Sequence, residues 1–384
     1  MLKTAVEVFD EKLSRPDLKV FFCANRYIQG ANVLEDLGRL LHMISGDSIG
    51  LIAPGDLPEA VLDTVTTSLD SASIGTHRVL FGGQCSYEEI ERHAATLRDS
   101  GMGALIAVGG GKVIDAAKCV AKRLNVPLVV CPTLASTDAP CSAAAVIYTE
   151  DGSFCDVEFL HDNPAMVVVD TAVIIGAPIR FLLAGMADAL ATGYEARTCL
   201  ENPDARSMVG GRISLAAATI AETCTRTVLE HGYAAIAAAK KGQIDESFER
   251  IVEANTLLSG TGFESGGLAA AHAVAQALTL VPSIEHGFLH GEMVAVGTML
   301  HLMLEQQDEE FERVDEFLKE IGLPRSLSML GIEVEDGNET FEMVIAAACE
   351  MPFMKNEPFT VDADRLKQAA LAVEHKVGRV PVPG

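Results

Sequence analysis

The sequence predicts two domains: an α/β domain built on a parallel sheet, residues 1–177, and an all-α domain, residues 178–384. Three observations carry this reading. The chain has 384 residues, a natural length for two domains at roughly 100 to 200 residues each. Up to Ala177, short apolar runs alternate with amphipathic stretches. After it the chain is Ala-rich at helical spacing, with few strand-like runs.

In order along the chain, strands are expected at 48–53, 104–108, 127–131 and 166–169, each a short apolar run bounded by turn residues. Residues 113–124, between the second and third, carry the apolar spacing of an amphipathic helix. Strands alternating with helices imply a parallel sheet. Beyond Pro178, segments 180–198, 212–230, 248–260 and 268–279 read as helices, with Pro282 and Pro324 marking breaks. Acidic runs such as 308–310 are solvated helix faces. The tail 378–384, with Pro381 and Pro383, is expected to fray. No internal repeat or low-complexity segment interrupts this plan.

Composition narrows the function. There are 54 acidic against 29 basic residues, a formal charge of -25, with 49% hydrophobic and 22% charged residues. This is an acidic globular protein without a basic cluster, which excludes a dedicated nucleic-acid binder. The opening MLKTAVEVFDEKLSRPD lacks the apolar core of a signal peptide, so export is not expected. No run of about 18 apolar residues suits a membrane span. The nine cysteines are scattered singly, with no CxxC pair and an odd total, and read as reduced thiols in a cytoplasm. Most are small core hydrophobes.

The sharpest local signal is the apolar run 104–108, then Gly109-Gly110-Gly111-Lys112, then a helix from Val113. Without Cβ atoms, backbone N–H groups can approach a pyrophosphate while the helix N-terminus and Lys112 supply positive charge. The string is neither a Walker A motif nor GxGxxG, since Val113 replaces Ser/Thr and Ile114 fills the last glycine position. A tight structural turn is the alternative. Asp115 is equally open between a helix-start acid and a ligand contact. After the next strand, Thr133, Ser136, Thr137 and Asp138 crowd hydroxyls and a carboxylate into one loop. Open α/β sheets bind ligands at such carboxyl ends, although capping and turn formation use the same residues.

Several strings occur in one order: GGGKVIDAAK, PTLASTDAPCSAAAVIYT, GMADALATGYEA, GFESGGLAAAHAVAQAL and HGEMVAVG. Together they resemble the glycerol dehydrogenases of the iron-containing-type, group III metal-dependent alcohol dehydrogenase family. The match runs from about Asn25 to a weaker region around Met351-Pro352-Phe353. The resemblance implies a dehydroquinate synthase-like fold, with an N-terminal dinucleotide-binding domain, a C-terminal helical domain, and a cleft holding NAD, a divalent metal and a small polyol. By position, Gly110, Gly111, Lys112 and Asp115 lie on the cofactor, and Thr133, Ser136, Ser142, Ala144 (through its backbone) and Tyr148 complete its contacts. Asp138 matches the position that contacts glycerol. Asp188, His272 and His290 match the metal ligands, with His286 beside them or on the substrate side. The family also implies a homo-oligomer, often an octamer.

Spacing alone does not assemble that metal site. Asp188 and His272 are far apart, Pro282 separates His272 from His290, and a lone His on an Ala-rich helix is commonly a satisfied core residue. His286 and His290 are spaced to share a helical face, but the Glu of HExxH is missing and Gly287 weakens the helix. One carboxylate with two imidazoles suits Zn²⁺ and leaves positions for substrate oxygens; iron takes the same ligands. Two features depart from the family pattern. Pro54 stands where an acid often favours the NAD ribose, with Asp56 displaced beyond it, which relaxes the expectation for NAD over NADP. Cys141 follows the Asp138-Ala139-Pro140 turn as a packing residue, or as an oxidation-sensitive thiol near the nicotinamide. The implied reaction is oxidation of a secondary hydroxyl of glycerol or a similar vicinal diol. Glycerol-1-phosphate dehydrogenases and dehydroquinate-synthase-like lyases are the alternatives, but they need cationic groups, and mainly Arg180 and Arg197 are available. A catalytically silent NAD-binding protein is a third reading, against which the three metal-type residues argue.

Overall fold

The computed structural model describes residues 3–9, 17–44 and 47–378. Apart from Gly378, the tail expected to fray lies outside the described residues. The chain divides into two compact units. One holds Phe22–Leu182 and Ala234–Gly260; the other holds Leu183–Tyr233 and the described residues from Thr261 onward.

Among the described residues, eight strands belong to the first unit: β1 (Tyr27–Gly30), β2 (Ser48–Pro54), β3 (Gly75–Phe81), β4 (Ala104–Gly109), β5 (Leu128–Pro132), β6 (Ala144–Tyr148), β7 (Phe154–Phe159) and β8 (Met166–Asp170). Six form one parallel sheet in the order β1-β8-β5-β4-β2-β3, and β6 pairs with β7 as an antiparallel hairpin. Alternate residues of β2, β4, β5 and β8 enter one core: Ile49, Leu51 and Ala53 pack with Ile106, Val108, Val129 and Val168 beneath Leu37, Leu41, Val65 and Leu69. The helix Gly111–Leu124 covers the other face with Ile114, Ala117 and Val120 buried. Burial on both faces is why these strands read as continuous apolar runs.

The expected strands therefore coincide with β2, β4, β5 and β8 to within a residue or so at each end. The strands without an expectation have a physical excuse. β3 is an edge strand whose first four residues are exposed, and β1, the other edge, is half-buried throughout. Neither needs an apolar run. From β2 to β3 the chain moves toward one edge, and from β4 to β5 it moves toward the other. The order thus reverses between β2 and β4, which places a switch point at Pro54 and Gly109, where open α/β sheets take ligands.

In the second unit the helix His290–Leu304 is buried on every side, from Gly291 through Leu302. A helix apolar all round belongs at the centre of a bundle. It packs against Ala270–Leu278, Asp308–Ile321 and Ala363–Val377. Asp308–Ile321 turns Phe311, Val314, Phe317 and Leu318 inward. Its acidic start is not wholly solvated, because Glu310 accepts a hydrogen bond from the Tyr194 hydroxyl at 2.6 Å. The expected helix 248–260 is in fact Glu246–Glu253, a widened π turn Ala254–Leu258, and Ser259–Gly266. Among the described residues no helix is long and apolar enough to cross a membrane.

Candidate functional site

In the first unit the glycine turn closes β4 and opens the helix Gly111–Leu124, with Gly110 at the N-cap and no side chain capping the end. The polar loop after β5 lies directly against it. Thr133 N donates to Gly109 O at 3.1 Å. A Cβ at Gly110 would stand 3.1 Å from the Leu134 side chain, and one at Gly111 would stand 3.7 Å from Thr137 Oγ1. Side chains at 110 or 111 would fill this cradle, so the glycines suit a diphosphate held on backbone N–H groups. Lys112 points to the same end, with Nζ 2.7 Å from Gln84 Oε1 and 5.0 Å from the Tyr148 ring centroid.

Asp115, Ser142 and Ala144 converge on a residue that the sequence does not announce, Lys118. Its buried ammonium donates to Asp115 Oδ1 at 3.2 Å, Ser142 Oγ at 3.2 Å and Ala144 O at 2.6 Å. Asp115 Oδ2 accepts from Val146 N at 3.0 Å, so this carboxylate ties β6 to the helix. Burial pushes the Asp115 carboxyl above the usual range while Lys118 opposes the shift. Thr133, Ser136 and Asp138 are half-buried in the loop. Ser259 Oγ donates to Asp138 Oδ2 at 2.8 Å, and Asn255, in the π turn, donates to Ala135 O at 2.9 Å. Both loop anchors were missed in the sequence.

The second unit brings Asp188, His272 and His290 together, with ligand-type atoms all within 4.8 Å of one another. Asp188 Oδ1 is 3.4 Å from His272 Nε2 and 3.5 Å from His290 Nε2. Two glycines of the helix His290–Leu304 make this approach possible. A Cβ at Gly291 would stand 1.8 Å from Ala184 O, on the helix carrying Asp188, and one at Gly297 would stand 2.1 Å from Ala271 O, beside His272. The Asp188 side chain is 1% exposed and that of His290 43%, so the cluster has a buried floor and an open side. Behind it, Glu195 Oε2 lies 2.5 Å from His272 Nδ1. Burial works against a charged His272 imidazole, but Glu195 and Asp188 outweigh it and hold the group well above its ordinary value. Burial and the neighbouring His272 lower His290, against the pull of Asp188.

A carboxylate and two imidazoles with an open side form a donor set that fits a divalent cation. His286 is exposed on the helix Pro282–Gly287 and stands outside the cluster. Extended backbone at Phe288 and Leu289 separates it from His290, so the two do not share a helix. A second buried group, His301 with Glu305 and Glu357, was not foreseen. All nine cysteines are thiols, and Cys141 is buried, as packing requires.

A family model for iron-containing alcohol dehydrogenase matches residues 24–171. A glycerol dehydrogenase from Escherichia coli O6:H1 is 42% identical, across 92% of this chain and 96% of its own. The chain belongs to the iron-containing alcohol dehydrogenase family. A glycolaldehyde reductase from Halobacterium salinarum is 39% identical, over 94% of this chain and 98% of its own. Among solved structures, glycerol dehydrogenase from Schizosaccharomyces pombe superposes with a TM-score of 0.87 at 33% identity, covering 94% of this chain and 91% of that one. As a member of the alcohol dehydrogenase family the protein is an oxidoreductase, and its parallel sheet and helical second unit are the fold of those relatives.

Proposed function

We propose that the protein is an NAD-dependent, divalent-metal polyol dehydrogenase that oxidises the secondary hydroxyl of glycerol, or of a similar vicinal diol, to a ketone. The convergence of Asp188, His272 and His290 carries this reading. These three hold the cation, with zinc as the fitting metal. When bound, the cation would supply Lewis acidity to the substrate hydroxyl, and NAD would supply the hydride acceptor. The protein's own residues bind and orient. Gly110, Gly111 and Lys112 take the pyrophosphate, while Thr133, Ser136 and Tyr148 line the cofactor. Asp115 acts on it indirectly, through Lys118, by holding Ser142 and Ala144 in place. Asp138, oriented by Ser259, positions a substrate hydroxyl and accepts its hydrogen bond.

The similarity to a glycolaldehyde reductase favours one variation, the same chemistry run toward the alcohol on a two-carbon hydroxyaldehyde. Phosphorylated substrates are disfavoured, because gripping a phosphate needs a cationic cluster and the sequence around the proposed ligands offers mainly Arg180 and Arg197. The protein works in the cytoplasm as a homo-oligomer, for which the family resemblance suggests an octamer.

The test measures NAD reduction by the zinc-loaded protein with glycerol, 1,2-propanediol, glycerol-1-phosphate and ethanol, and NADH oxidation with dihydroxyacetone and glycolaldehyde. Chelator-sensitive turnover of the uncharged diols is expected. Turnover of glycerol-1-phosphate alone, or turnover that survives complete removal of metal, would overturn the reading.

A further inference from the structure

Resting on the metal-site reading above, we propose that Glu195 is the positioning residue of the centre, holding His272 in the tautomer that is protonated on Nδ1 and presents the Nε2 lone pair to the cation. Glu195 follows Asp188 by seven residues on the helix Ile179–Glu201, two turns later on the same face. The two ring nitrogens of His272 are therefore held by two acids of one helix: Nε2 lies 3.4 Å from Asp188 Oδ1, and Nδ1 lies 2.5 Å from Glu195 Oε2. An ionised carboxylate only accepts, so in the neutral ring that a cation requires the one proton stays on Nδ1, toward the closer acid Glu195, and Nε2 offers its lone pair. The other oxygen, Oε1, accepts from Ala269 N at 2.7 Å and His272 N at 2.9 Å. The carboxylate is thus anchored to the backbone of the residue whose ring it orients. Ligating imidazoles commonly have such a partner on the far nitrogen.

A neighbouring acid separates orienting from capping. Glu357 also reaches this helix start, with Oε1 accepting from Ala270 N at 3.1 Å, but its imidazole partner is His301, at 3.1 Å. Glu357 caps the helix that carries His272 without touching its ring.

Glu195→Gln isolates the orienting role. The amide oxygen still accepts from Ala269 N and His272 N, while the amide NH₂ faces Nδ1 and forces that nitrogen to accept. The His272 proton then sits on Nε2, turned toward Asp188. We expect affinity for Zn²⁺ and Co²⁺, measured by competition with a chromophoric chelator, to fall about 10- to 100-fold. The metal-free thermal midpoint should fall, because Gln leaves the buried His272 ring without its carboxylate partner, and the visible spectrum of the Co²⁺ form should change. Glu357→Gln should separate the two effects, lowering the midpoint while keeping the metal affinity and the Co²⁺ spectrum. Metal affinity of Glu195→Gln within about threefold of the parent, well short of that range, would overturn the proposal, as would affinity and stability falling in parallel in both variants. Nitrogen NMR of ¹⁵N-histidine in the metal-loaded parent reads the tautomer without any substitution; a His272 ring protonated on Nε2 also refutes it. A parent that binds no cation overturns the metal-site reading instead, so the two failures are distinct.

Discussion

The His301 imidazole is buried 3.1 Å from Glu357 Oε1 and 3.5 Å from Glu305 Oε2. Burial works to discharge it, but the two carboxylates prevail and the group is pushed up to about 10. A histidine raised in the folded state stabilises fully below its unfolded value near 6.5 and loses that contribution as pH rises through the folded value. Across the window from about 6.5 to about 10, stability should fall by up to about 1.4 kcal/mol per pH unit from this group. Urea unfolding of the parent and of His301→Gln at several pH values checks this by difference, which cancels thiol and phenol titration. Equal slopes in the two proteins would refute it. His301 is only partly marked in the sequence: Glu305 stands one turn on, a spacing that shares a helical face, but Glu357 lies 56 residues away. Glu195 was legible in principle, as an acid two turns past Asp188 within an otherwise small and apolar helical run.

At the scale of elements, the metal-type cluster depends on how closely the helix His290–Leu304 approaches its neighbours. Gly291 abuts Ala184 O with no room for a Cβ. Gly291→Ala must push that helix outward, at an overpacking cost of roughly 1–3 kcal/mol, and must carry the adjacent His290 away from Asp188. Chelator competition on this variant should show at least about tenfold weaker metal binding, about 1.4 kcal/mol in free energy, together with a lower thermal midpoint. A stable variant with parental affinity would show that the contact does not position His290. Gly110→Ala tests the cofactor side, where a new Cβ 3.1 Å from Leu134 narrows the cradle. NAD affinity by fluorescence titration should weaken several-fold, while zinc affinity should not change.

At the scale of the molecule, a charge of -25 on 384 residues opposes compaction. Raising KCl from about 0.01 M to about 1 M shortens the Debye length from about 30 Å to about 3 Å. The same salt weakens surface pairs such as Arg92 with Glu89 and Arg250 with Glu246, but each contributes at most about 1 kcal/mol. Relief of the long-range repulsion should dominate, so the thermal midpoint should rise with salt. A midpoint that is flat or falls would mean that the local pairs matter more.

Periodicity and composition by themselves determined the α/β-then-helical architecture and the central strands, because a strand buried on both faces has to be apolar throughout. They also located the glycine turn, because three consecutive residues without a Cβ between an apolar run and a helix are visible in the sequence itself. The edge strands, the hairpin and the return of 234–260 to the first unit stayed invisible, since half-exposed strands and Ala-rich helices carry no mark of what they pack against. The family resemblance named Asp188, His272 and His290 together, but only the tertiary structure placed them within 4.8 Å of one another, with Glu195 behind them and His286 apart. Their meeting depends on the backbone separation that Gly291 and Gly297 permit, and no spacing along the chain encodes a distance between helices.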